Sequence, residues 1–355
     1  ICTAPAPRTR RRAFQEIVLH PSRFAVALPA LLGFAFAAAA PAAHSQEIKI
    51  SRQFGLPYIP LIIMEQQQLI EKNAKKLGVG DVKTTWSTVG TSTATLDGLL
   101  SRQIDFASAG ITVVLTLWDK TAGTQNEIMA ISGISSFPYP LVTNNPKVKS
   151  LNDFGPDDRI AVPAAKVSVQ AIVLQMAAAK AFGNDQRAKL DPQTVSLSHP
   201  DAAVAVMSKR SEINSHFSYP PYSQQELKTA GVHAVLWAND VTNGPATTIE
   251  VVTSRRLVKE NPKWVDAFLA AQEEANAFIK AQPREAALLY LTATKEKMTV
   301  DELVEILSDP QVRISTTPFN TMLFANYMKE AGSIKKVPAS WKDYFFPVAH
   351  KLPGG

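Results

Sequence analysis

One cysteine occurs in 355 residues, and it stands at position 2. The rest of the chain can form no disulfide, no thiolate metal site and no thiol nucleophile. Histidine is nearly as sparse. His199, His216 and His233 lie 17 residues apart and His350 sits in the tail. No His-x-x-x-His pair or carboxylate–histidine spacing points to a metal. The chain has no Gly-x-Ser-x-Gly elbow, no P-loop and no dinucleotide fingerprint. Nothing places a base beside a nucleophile, so no catalytic residue is assigned. No cofactor is implied, and no tandem repeat is present.

What is there begins with a leader. Arg8, Arg10, Arg11, Arg12 and Arg23 precede an apolar run from Phe24 to Ala40, followed by Pro41-Ala42-Ala43-His44-Ser45. Basic, then apolar, then small is the layout of a secretory signal, with cleavage expected near Ser45. The run holds Pro29 and Gly33 and is short for a bilayer span, so a membrane anchor is the weaker reading. Arg11-Arg12-Ala13-Phe14 is far from the apolar run, which favours ordinary export over the twin-arginine route. The segment before Phe24 is long and does not begin with Met, as an over-extended start or a fragment would not. The leader carries five arginines and one glutamate, +4 of the net +6. The high pI of 9.2 therefore does not indicate a nucleic-acid partner. The remaining chain, about 310 residues, is long enough to build its cores without disulfides and suggests two lobes.

The stretch Thr85–Gly110 sets the pattern for the rest. It reads as a strand end, a hydroxyl-rich loop with Gly90, a helix, and a second strand with the small-residue exit Ser108-Ala109-Gly110. Thr91, Ser92 or Thr93 can cap that helix, and a helix start with unpaired N–H groups can hold an anion. Leu96, Leu99, Leu100 and Ile104 give it an apolar face. Strands are expected at 47–54, 82–86, 105–107 and 127–132, with helices between them, which argues for an α/β lobe. Phe137-Pro138-Tyr139-Pro140 breaks regular structure and marks a crossing to a second lobe. That lobe repeats the pattern. Strands are expected at 159–163, 194–198, 212–216 and 232–237. Ala164–Ser168 forms a small-residue loop before a helix over 169–182, and a further helix spans 200–209. Asn243-Gly244-Pro245 reads as the return crossing, and 247–253 as a β-branched strand. Helices then follow over 262–281, 283–291, 300–307 and 318–331, with a capping-box spacing at Thr299–Glu302 and an aromatic tail at 341–346.

Several of these segments together resemble a known group. They are Gly90 with Thr91–Thr93, Leu99-Leu-Ser-Arg-Gln-Ile-Asp105-Phe-Ala-Ser-Ala-Gly110, Ser150-Leu-Asn-Asp-Phe-Gly155 before Arg159-Ile-Ala-Val-Pro163, Glu212-Ile-Asn with Pro220-Pro221, and Pro262-x-x-Val265. In this order they are similar to the solute-binding proteins of ABC importers, of the nitrate, sulfonate and taurine type. Asn214 departs from the small residue usual there. The resemblance implies an α/β, two-lobe periplasmic-binding-protein fold of type II, each lobe a mixed, mainly parallel sheet. Its implied lobes are 46–136 with 240–355, and 137–239.

The resemblance also implies a periplasmic, monomeric receptor that closes on a small-molecule anion and presents it to the transmembrane subunits of an ABC permease. The implied pocket draws on Gln53, Phe54 and Tyr58 after the first strand, and on Ser87, Thr88, Gly90, Thr91 and Ser92 after the second. Ser108, Ala109 and Gly110 follow the third, and Lys166, Ser168, His216 and Tyr219 come from the other lobe. Hydroxyls and backbone N–H groups without an acidic cluster favour a sulfonate or carboxylate, and Phe54, Tyr58 and Tyr219 leave room for an organic body. Taurine lacks an evident carboxylate for its amine. Two alternatives remain open: a ligand-sensing module for a receptor kinase, and an enzyme resembling the thiamine-pyrimidine synthases. The latter depend on a cysteine-rich motif that this chain lacks.

Overall fold

The computed structural model describes residues 46–355; the leader and its cleavage point lie outside the described residues. The first four strands are β1 (Gln46–Arg52), β2 (Val82–Thr88), β3 (Phe106–Gly110) and β4 (Ile128–Ser136). Helices α1 (Ile59–Gln66) and α2 (Leu69–Lys76) link β1 to β2. Helix α3 (Ser92–Leu100) links β2 to β3, and α4 (Ile111–Thr121) links β3 to β4. After Ser136 the chain leaves this sheet and enters a second one, made of β5 (Pro140–Thr143), β6 (Ile160–Val162), β7 (Thr194–Ser196), β8 (Ser215–Phe217) and β9 (His233–Trp237). Helices α5 (Val169–Phe182), α6 (His199–Ser208) and α7 (Tyr222–Leu227) connect its last four strands. A short helix, α8 (Ala238–Thr242), begins the return, and β10 (Ile249–Ser254) rejoins the first sheet. Five helices follow: α9 (Arg255–Glu260), α10 (Pro262–Ala281), α11 (Pro283–Thr294), α12 (Val300–Leu307) and α13 (Met322–Glu330). The short strand β11 (Arg313–Ile314) precedes the last of them.

The strand order is β11-β4-β10-β3-β1-β2 in the first sheet and β7-β6-β8-β5-β9 in the second. The returning strand β10 inserts antiparallel between β3 and β4, pairing Glu250 with Ala109 on one side and Gly133 on the other. Both sheets are mixed, with most strands running one way. Every residue of β4 is buried, as a central strand covered on both faces requires. Phe106 stacks on Phe268 with ring centroids 4.6 Å apart, joining β3 to α10.

Most expected elements form, and the differences have local causes. The helical stretch expected between the first two strands breaks at Gln68, which adopts a left-handed conformation. Leu100 is 51% exposed, because α3 ends there and its packed side is Leu99. The strand expected at 212–216 starts later, at Ser215. The Asn214 side chain is engaged beforehand, accepting from Arg159 N at 3.2 Å and donating to Asp158 at 2.7 Å. The last long helix starts at Met322 rather than 318. The capping box at Thr299–Glu302 forms, with Thr299 N donating to Glu302 at 2.7 Å. The aromatic tail packs inward: Tyr344 and Phe345 are fully buried, and Phe346 N donates to Ala130 O at 2.8 Å.

Gly55 turns the chain out of β1 with φ +121 and ψ 163, backbone that only glycine adopts readily. The turn brings Leu56 N to Pro220 O at 2.7 Å, tying the first sheet's edge to the exit of β8. A Cβ at Gly55 would lie 3.1 Å from that same oxygen. Gly55→Ala is expected to cost about 1–3 kcal/mol in urea unfolding; an unchanged midpoint would show that this tie carries no strain.

Candidate functional site

Three helices begin at one place. Thr91 caps α3, its Oγ1 accepting from Ala94 N at 3.3 Å. Gly110 precedes α4 and offers no side-chain cap. Ser168 caps α5, its Oγ accepting from Ala171 N at 3.3 Å and donating to Ala164 O at 2.8 Å. Residues at these starts line one small cavity: Ser92 from α3, Gly110 before α4, and Val169 and Gln170 from α5. Gln53, Tyr58, Tyr219, Pro163 and Ile249 complete it. First-turn N–H groups have no partner within their own helix, and each helix adds about half a positive charge at its start. The cavity is therefore electropositive without needing a lysine.

Its volume is about 10 Å³, room for about one water. The two sheets' edges are pressed together around it. Thr112, in the first turn of α4, donates to Val167 O at 2.6 Å. A Cβ at Gly110 would come within 2.7 Å of Val169 Cγ2. The backbone of Gly90 lies against Ser198, 3.4 Å from where its Cβ would stand. Only glycine lets the β3 exit approach α5 this closely.

Beside the cavity, buried polar atoms go without hydrogen-bond partners: Ser108 Oγ, Tyr219 Oη, Thr248 Oγ1 and both carboxyl oxygens of Glu250. Glu250 is fully buried in the middle of β10. Burial pushes its pKa well above the usual carboxylate range, and its charge lies within electrostatic reach of Tyr58, Tyr219 and Tyr344. Burial raises the Tyr58 and Tyr219 hydroxyls as well, with Glu250 adding to both and Tyr219 adding to Tyr58. A neutral carboxyl can both donate and accept. Sequence reading passed over Glu250 because it sits inside a β-branched strand. The one visible signal was a lone acid at a position that such a strand buries.

The residues expected from sequence divide into three groups. Gln53, Tyr58, Ser92, Gly110 and Tyr219 meet at the central cavity. Gln53, buried, donates to Thr95 Oγ1 at 3.3 Å. Phe54 and Thr88, with Gln53 again, line a neighbouring cavity of about 320 Å³. Its walls carry Arg52, paired to Glu65 at 2.6 Å, and Tyr222, which donates to Glu296 at 2.6 Å. The others touch neither space. Thr91 and Ser168 act as caps, and Ser108 and Ala109 are buried within β3. Ser87 is exposed on the edge strand. Lys166 is exposed in a left-handed turn with φ 65. His216 is fully buried and bonded to His199 and Glu226, one layer behind the cavity wall. Gln170, on the wall itself, was not anticipated.

Among the described residues no group of three or more His, Cys, Asp or Glu side chains converges as a metal site. No described helix is long and apolar enough to cross a membrane.

No protein-family profile and no curated protein sequence matches the chain. Solved structures do. One is the periplasmic aliphatic sulphonate-binding protein of Escherichia coli, at 18% identity and TM-score 0.61, covering 84% of this chain and 97% of that one. Another is the alkanesulfonate-binding protein of Xanthomonas axonopodis bound to MOPS, at 15% identity and TM-score 0.65, covering 85% and 99%. A third is the periplasmic nitrate-binding protein of Synechocystis PCC 6803, at 15% identity and TM-score 0.63, covering 87% and 86%.

The chain has the periplasmic-binding-protein fold.

In this fold the central cavity lies between the two sheets, at the exits of β1, β2 and β3 on one side and of β6 and β8 on the other, where open α/β sheets place ligands. The buried acid there gives a signed expectation. The folded chain keeps the Glu250 proton that the unfolded chain releases above about pH 4.3. The folded state thus binds more protons, and Glu250 lowers stability progressively as pH rises from there towards its folded pKa. Glu250→Gln should raise the Tm at pH 8 and flatten the Tm–pH curve relative to the parent. A curve parallel to the parent's would mean that Glu250 is not held protonated.

Proposed function

We propose that the chain is an exported solute-binding component of an ABC importer, which captures a small organic anion, a sulfonate or carboxylate, between its lobes. The observation that carries this is the meeting of three helix starts at one cavity, a ready-made anion site built from backbone. Hydroxyls from Ser92, Tyr58 and Tyr219 ring the same space. The binding-protein fold and its sulfonate- and nitrate-binding neighbours support the class. On this reading the lobes are 46–136 with 240–355, and 137–239. They open about the crossings at 137–139 and 238–248, admit a solute, and close on it. The solute favours the closed form only through contacts it makes there and not in the open one. The closed receptor, a monomer, then presents its cargo to the permease. No step of this needs catalysis, a cofactor or nucleic acid.

A thermal-shift panel of alkyl and aryl sulfonates, taurine, nitrate, carboxylates and pyrimidines tests the reading. A solute bound only by the folded chain, at 100 times its Kd, adds about 2.7 kcal/mol. One chemical class should raise the Tm in a dose-dependent way. Sulfonates and carboxylates both leaving the Tm unmoved, with no small molecule released on denaturation, would overturn it.

A second expectation follows from the tight approach of Gly110 to α5. Gly110→Leu puts a branched side chain where even a Cβ meets Val169. It should hold the lobes apart and weaken capture of the responding solute by at least about tenfold, a difference of about 1.4 kcal/mol. Unchanged affinity, measured by calorimetry, would show that closure does not need this contact.

A further inference from the structure

Behind the second wall of the cleft lies a chain of buried side chains that the capture reading does not use. Glu226 Oε1 is 2.9 Å from His216 Nδ1. His216 Nε2 is 2.8 Å from His199 Nδ1. His199 Nε2 is 3.3 Å from Gln170 Nε2, and Gln170 lines the central cavity. All four side chains are buried, none more than 3% exposed. We propose that His199, His216 and Glu226 form a relay that fixes which atom Gln170 shows to the cleft, and so the polarity of the solute admitted. This rests on the capture reading above and narrows its solute class.

The direction of every bond follows from the first. An ionised Glu226 only accepts, so His216 donates from Nδ1–H. A neutral His216 then offers a lone pair at Nε2, which His199 must meet with Nδ1–H. A neutral His199 in turn offers a lone pair at Nε2, and Gln170 meets it with an N–H. The amide oxygen of Gln170 is thereby left for the cavity. One added proton reverses the chain. His216 then carries hydrogen on both nitrogens, His199 shifts its hydrogen to Nε2, and Gln170 must turn its oxygen inward and its amide N–H outward. Ring neighbours of His199 are Tyr219 at 5.2 Å and Tyr222 at 6.3 Å, besides His216 at 5.0 Å. Asp201 lies on its own helix, capped by Ser198. None of these is a fixed cation. Burial first, and then His216, hold the His199 pKa well below 6.5, so the His199 ring is neutral at neutral pH.

The cavity then offers two unlike partners. Helix starts take the anionic head, and the Gln170 oxygen takes a hydrogen-bond donor. The fitting solute is a hydroxy- or amino-bearing sulfonate or carboxylate, and a bare alkyl anion leaves that oxygen unpaired.

Two measurements on the full chain decide this. With 15N-labelled histidine, two-bond 1H–15N correlations at pH 7.5 should show His199 and His216 both as Nδ1–H tautomers. An Nε2–H form of either overturns the relay, with no solute involved. Calorimetry then compares 2-hydroxyethanesulfonate with ethanesulfonate. The hydroxyl should strengthen binding by about tenfold at pH 7.5. That preference should fall below about threefold in Gln170→Ala and in His199→Asn, whose amide can still donate towards His216 but stops short of the position from which His199 Nε2 accepts. Ethanesulfonate affinity should hold in His199→Asn. Equal binding of the two sulfonates to the parent chain overturns the specificity role. If neither sulfonate binds, the sulfonate half of the organic-anion reading fails and the hydroxyl preference with it, while the tautomers still decide the relay.

Discussion

Backbone N–H groups at a helix start must be answered by something outside the helix. Here three such starts, those of α3, α4 and α5, are brought to one point, and the rest of the architecture serves that convergence. Parallel neighbours β1, β2 and β3 place two helix starts at one edge of the first sheet. The second sheet supplies the third from the opposite side. The chain must therefore cross over after Ser136 and return, and the return is the antiparallel insertion of β10 between β3 and β4. At Gly55 and Gly110 the two sides come close, and both lack the Cβ that would keep them apart.

Beneath this backbone-lined space lies a second layer of polarity. Glu250, Ser108, Thr248 and the Tyr219 hydroxyl are buried without partners, while His199, His216 and Glu226 are buried and joined in a chain. In a low-dielectric interior both arrangements matter, because an unmade hydrogen bond is costly and a made one is strengthened by its neighbours. The first group costs free energy until something pairs with it. The second holds the wall rigid and gives it a direction. A site so built discriminates by hydrogen-bond polarity as well as by charge.

Much of the fold was legible in the residues. The alternation of strands and helices, the Pro138–Pro140 break, the turn chemistry near Asn243 and the helix over 169–182 were all written locally, in periodicity and in Gly, Pro and hydroxyl residues. What was not legible is non-local. Lys166 read as a pocket residue, but it is exposed in a left-handed turn and lines neither cavity. His216 read as a wall residue, whereas the strand registers that set it beside His199 and Glu226 exist only once β5, β6 and β8 are paired. Glu250 vanished into a β-branched run, since the burial that makes it unusual comes from β3, β4 and the tail around Tyr344. Gln170 carried no marker at all.

The central claim is that the two sides of this cleft separate and re-close around a solute. It is tested most directly by distance measurement across the cleft. Position 2 carries the chain's only cysteine, so Cys2→Ser with Ser87→Cys and Lys166→Cys places one exposed dye on each side. Single-molecule energy transfer should then show two populations, with the closer one filling as the solute that raises the Tm is titrated, at the Kd found by calorimetry. A single distance, unchanged while that solute binds, would contradict the account.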